Sequence, residues 1–145
     1  MSATIYPHLE ALVTALKKLK LVTPVEAYAS LAAINIQGSP QVALVAGETS
    51  IKQKIGQGRT IDSLHMQQEW QVIVILRDAG DQKVTAPLLN ELGAWQAKVL
   101  NILCKEIFTT GGPINLLDIP QPESIAGGAI AGRIRLGIQF VFTSE

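Results

Sequence analysis

In this chain of 145 residues, 12 Lys plus Arg are balanced by 12 Asp plus Glu, so no long-range field draws in nucleic acid or an anionic membrane, which argues against a DNA-binding module. The length suits one domain that buries about 68–70% of its unfolded surface without a disulfide or metal staple. Only 17% of residues are charged, against the ~25% usual in globular domains, while 48% are apolar, so the chain has either a large core or surface to hide against neighbours.

The opening "MSATIYPHLEALV" has no basic region ahead of an apolar run, and no stretch reaches the ~20 apolar residues that span a bilayer. A soluble, intracellular product is therefore expected. From Ile5 to Leu21, Tyr6, Leu9, Leu12, Val13, Leu16 and Leu19 recur at spacings of three and four, which predicts an amphipathic helix. Pro7 suits its first turn, and Lys17, Lys18 and Lys20 suit its negative end.

"VEAYASLAAINIQGSP" fits a short helix or an irregular strand equally well. "PQVALVAG" sets Val42, Leu44 and Ala46 against Ala43 and Val45, a short strand buried on both faces. The segment "ETSIKQKIGQGRTIDS" is longer than the ~2–5 residues of a tight hairpin connection, which leaves either a mobile arm or a hairpin extended beyond the sheet. Ile51 and Ile55 bracket Lys52 and Lys54 there, combining an apolar grip with charge.

In "QEWQVIVILRDAGDQ", Trp70, Val72, Val74 and Leu76 fall on one face and Ile73 and Ile75 on the other, so the strand must be covered twice. Arg77 begins its exit. Asp78 and Asp81 read as turn residues, because a calcium loop needs acids at alternating positions and a closing Glu. A second helix is expected from Thr85 to Lys105, with Leu88, Leu92, Trp95, Val99 and Ile102 on one stripe and Leu89, Leu100 and Leu103 widening it. So wide a stripe implies burial on more than one side. Gly93, at a cost of ~1 kcal/mol against alanine, implies close approach of another backbone. Cys104, the single cysteine, excludes an internal disulfide and reads as a small buried hydrophobe.

"EIFTTGGPINLLDIPQPESIAGGAIAG" reads as a long Gly/Pro loop. Its "GGAIAG" precedes a strand rather than a helix, which reverses the geometry of a dinucleotide-binding loop. In the last strand Ile134, Leu136, Ile138, Phe140 and Phe142 alternate with Arg133, Arg135, Gly137, Gln139 and Val141, one face for helices and the other for solvent or a second subunit. His65 and Glu69, four apart in a strand, lie ~13 Å apart, too far to share a metal. No nucleophile elbow, phosphate loop or metal-ligand spacing occurs, so no enzyme activity, cofactor or metal is expected.

The expected fold is α+β: a single domain over residues 1–145, with a small, mostly antiparallel sheet packed against two amphipathic helices, a long hairpin arm and a long Gly/Pro loop. The order of elements adds a resemblance. A leading amphipathic helix, "SPQVALV", a long arm, "EWQVIVILRD", a long helix, a Gly/Pro loop and a terminal "RIRLGIQFVFT" together resemble the tail-terminator, or tail-completion, proteins of tailed bacteriophages and related contractile particles. The resemblance covers nearly the whole chain except residues 23–37 and the Gly/Pro loop.

Membership would imply a ring, commonly a hexamer, that caps the tail tube, ends its polymerisation and docks the neck of the head. It would imply as partners the chain itself, the tube protein, the neck connector and, in a contractile tail, the last sheath layer, with no membrane or nucleic-acid sequence among them. The location implied is the head-proximal end of the virion tail, after synthesis in the bacterial cytoplasm. The candidate inter-subunit contacts are the arm from Glu48 to Ile61, with Ile51 and Ile55 as anchors and Lys52, Lys54 and Arg59 as polar fixers. Arg133, Arg135 and Gln139 on the last strand form a second candidate surface. Rival readings are a head–neck connector or other ring-forming tail or baseplate component, a small binding domain unrelated to phage, and a small enzyme.

Overall fold

The computed structural model describes residues 4–77, 86–108, 112–125 and 128–144. The long strand β3, Thr60–Arg77, organises the sheet. It pairs antiparallel with β2, Gln41–Gln57, on one side and with β6, Ala129–Thr143, on the other. A three-residue strand β1, Glu26–Tyr28, lies parallel to β2 at Ala43–Val45. Two further strands, β4 (Ile114–Asp118) and β5 (Glu123–Ile125), run antiparallel to β6 along its other edge. The mostly antiparallel, six-stranded sheet thus has the order β1-β2-β3-β6-β4, with β5 also on β6.

Alternation along β3 produces two cores, as its sequence predicts. Trp70, Val72, Val74 and Leu76 join Val42, Leu44, Ile130, Ile134, Leu136 and Ile138 beneath the helices α1 (Leu9–Leu16) and α2 (Ala86–Glu106). Ile73 and Ile75 meet Ala43, Val45, Ala129 and Ala131 on the opposite face, under the connection that carries Leu31, Ile34 and Ile36. That connection is the segment of ambiguous sequence. It supplies β1 and a 3-10 turn at Leu31–Ala33, in which Ser30 accepts the Ala33 amide. Buried Gln41 pins it: its side-chain oxygen accepts the Gln37 amide at 2.8 Å, and its nitrogen donates to the Asn35 carbonyl at 3.0 Å.

Several expectations are corrected. The first helix spans only Leu9–Leu16, with Pro7 ahead of it and a 3-10 turn at Lys17–Leu19 that ends on left-handed Lys20. Lys18 of that turn pairs with Glu106 at 2.5 Å. Helix α2 buries Leu92, Val99 and Leu103 on one side alone, while Leu89 and Cys104 are exposed, because the second core is closed by a connection rather than by a layer that α2 could enter. Gly93 faces open space. The close approach is made by Gly132 of β6, where an added Cβ would lie 2.6 Å from the Gln96 nitrogen and 3.1 Å from Leu92 Cδ1.

The Gly/Pro region is not one loop. It returns along β6 as β4 and β5, since "INLL" places Ile114 in the helix-side core while the main chain of both strands satisfies the outer edge of β6. The turn residues Asp78 and Asp81, and Thr85 at the expected helix start, lie outside the described residues. No described helix is long and apolar enough to cross a membrane.

Candidate functional site

Between Ala46 and Thr49, β2 carries one residue more than β3 opposite it, a bulge that bends and twists a hairpin. Gln68 fills the bulge. The Thr49 hydroxyl donates to its side-chain oxygen, and its nitrogen donates to the carbonyls of Gly47 and Glu69 at 3.2 and 2.7 Å. Beyond this stitch the hairpin outruns its neighbours. Strand β6 accompanies β3 as far as Ser63, and pairing between β2 and β3 continues to Gln57 and Thr60, where Gly58 adopts φ 65°.

Every residue from Ile51 to Asp62 is exposed, including Lys52, Lys54 and Arg59. The three isoleucines there expose much of their surface: Ile51 49%, Ile55 41% and Ile61 48%. Cross-strand partners share a face. Ile51 opposes Met66 on the helix side of the sheet, whereas Ile55 opposes Ser63 on the other, because a second bulge between Ile51 and Gln53 inverts the alternation. The two anchors expected from sequence therefore point to opposite faces of the hairpin, and Lys54, opposite Leu64, shares the face of Ile51.

The second expected surface is already engaged within the chain. Arg135 is half-buried on the face away from the helices and bridges two strands, reaching Asp118 of β4 at 2.7 Å and Glu69 of β3 at 3.2 Å. The hydrogen bond to Glu69 is the main cause that raises its pKa above the ordinary guanidinium value. Arg133 pairs with Glu123 of β5 at 3.3 Å. Gln139 alone of the three is exposed, with its backbone N–H donating to the Pro113 carbonyl at 2.8 Å. Glu69, Asp118 and Glu123 are thus ion-pair partners of the arginines that sequence reasoning missed. The signal was present as opposite charges, but it becomes readable only once β4 and β5 are known to lie on β6.

Two further surfaces were not anticipated. The outer edge of β4 pairs with no described strand, and Leu116 and Leu117 of β4 and Ile119 just beyond its end are exposed. Between α1 and β1 runs a shallow groove of about 620 Å3, lined by Leu9, Val13, Val25 and Ala27 together with Glu10, Lys17 and Glu26, whose carboxylate accepts the Tyr28 hydroxyl at 3.1 Å. Among the described residues no group of three His, Cys, Asp or Glu side chains is placed to hold a metal ion. The sequence matches no protein-family model and no curated protein sequence.

Proposed function

We propose that the chain is the repeating subunit of a closed ring, and that the ring is a tail terminator of the kind its sequence resembles: a cap on the tube of a phage tail that ends polymerisation and joins the tail to the neck. Its partners on this reading are further copies of itself, commonly six in all, the tube protein, the neck connector and, in a contractile tail, the sheath.

One observation carries the ring. The sheet is open, and its two lateral sides differ. One side offers the basic, isoleucine-bearing end of β2; the other offers the apolar outer edge of β4. Exposed edges with apolar side chains are hazards unless another chain covers them. Contacts between unlike surfaces of one subunit and the next run head to tail, and such contacts close into a ring when the rotation between subunits returns on itself.

The mass of the purified protein by light scattering across protein and salt concentration, followed by negative-stain imaging of any large species, tests the proposal. A closed ring of uniform diameter is the expected result. A strict monomer that also fails to bind the ends of isolated tail tubes overturns it.

A further inference from the structure

Within the ring reading, on which this step rests, we propose that the end of the β2–β3 hairpin of one subunit docks in the α1–β1 groove of the next. The two surfaces are complementary in chemistry. The hairpin from 51 to 61 holds three cations, Lys52, Lys54 and Arg59, and no acid, together with exposed Ile51, Ile55 and Ile61. The groove is lined by apolar Leu9, Val13, Val25 and Ala27 with Glu10 and Lys17 on α1, while Glu26 of β1, whose carboxylate accepts the Tyr28 hydroxyl at 3.1 Å, places a second acid on the other face of the same open edge. The backbone agrees as well. Strand β1 pairs with β2 on one side only, so its outer edge is open to an added strand among the described residues. The outer edge of β2 past Val45 is open in the same sense, so main-chain pairing can supply affinity while the side chains select the register.

The occupant must come from another copy. Tyr28 of β1 aligns with Val45, and Ile55 lies ten residues further along the same β2 strand. At ~3.3 Å per residue that is about 30 Å, shortened somewhat by the bulges. A hairpin held in register along that length cannot fold back onto the groove beside its own base. In a neighbour the same separation becomes an advantage: donor and acceptor share the β1–β2 side of the sheet but lie at its opposite ends, so each copy can give and receive once, and the outer edge of β4 is left for a separate contact.

The test uses the full chain with Cys104→Ser as background. Ile55→Cys in one preparation and Val13→Cys in another are mixed and oxidised. A disulfide-linked heterodimer in the mixture is expected, and it depends on proximity whether or not complete rings form. In parallel, Glu10→Lys with Glu26→Lys should weaken self-association by about tenfold or more, the scale of two reversed charge pairs. Adding Lys52→Glu and Lys54→Glu should restore it, with melting curves confirming that each variant is folded. Rings that form undiminished in the Glu10/Glu26 variant, with no heterodimer on oxidation, overturn this contact and leave the ring standing. A protein that neither associates nor cross-links removes both.

Discussion

Gln68 of β3 is buried inside the bulge of β2, with its amide nitrogen 3.2 Å from the Gly47 carbonyl and its oxygen accepting the Thr49 hydroxyl. A bulge leaves ladder groups unpaired, and a buried unpaired carbonyl is costly. One glutamine side chain therefore lets the strand change direction where the hairpin departs. Gly47 is required beside it, since an added Cβ would stand 2.8 Å from Glu69 Cβ. Replacing Gln68 by Leu keeps the volume but orphans these partners, and should destabilise the fold by about 1–3 kcal/mol. Chemical denaturation measures this, and an unchanged midpoint would show that the stitch contributes nothing.

Gly56 sets the far end of the hairpin. A Cβ there would press on the Thr60 carbonyl oxygen and stand 2.8 Å from Ile61 Cα, both backbone atoms with no freedom to swing aside. Gly56→Ala should disrupt pairing near the tip and shift the amide resonances of residues 51–62. Because that end buries none of its side chains, global stability should change by about 0.5 kcal/mol or less. A wild-type spectrum at the tip would contradict the geometry.

Period-two patterning made the central layer legible: Trp70 to Leu76 divide between two cores as written, and Ile134, Leu136 and Ile138 are buried as expected. What sequence could not convey was pairing at a distance. The "INLL" of β4 and the "ESI" of β5 are too short to declare themselves, and only the open edge of β6 gives them a place. Periodicity also fails at a bulge, which is why Ile51 and Ile55, four apart, face opposite ways. Cys104 and Leu89 show the reverse error. Their helical spacing was read as burial, but the width of an apolar stripe does not reveal how many layers cover it.

The ion pairs of Arg135 predict a modest, salt-dependent contribution that is insensitive to pH near neutrality. Its folded pKa is raised above the unfolded value, chiefly by Glu69. A cation stabilised in that way contributes fully at pH below its unfolded pKa, and the contribution is lost only as pH rises through the still higher folded value. Arg135→Lys should cost about 1 kcal/mol or less, since a point charge cannot fork to Glu69 and Asp118 together and partly exposed pairs are worth little. The loss should shrink in high salt. Thermal melts at low and high ionic strength read the difference; a salt-independent loss would mean that packing, rather than charge, holds β4 to β6.

On the proposed ring reading, the hairpin isoleucines offer a way to test assembly apart from folding. Ile51 and Ile55 are both more than two-fifths exposed, lie on opposite faces, and belong to neither core. Asp at both positions removes apolar contact from both sides of the hairpin and offsets two of its three positive charges. Within the subunit nothing is lost that burial had supplied, so the melting temperature should stay close to that of the parent. Ring formation should be abolished, because the buried centre of an interface tolerates an unpaired charge poorly. Light scattering on a folded double variant decides the matter. Unchanged assembly would remove this hairpin from the interface and leave the outer edge of β4, with Leu116, Leu117 and Ile119, as the surface through which the subunits meet.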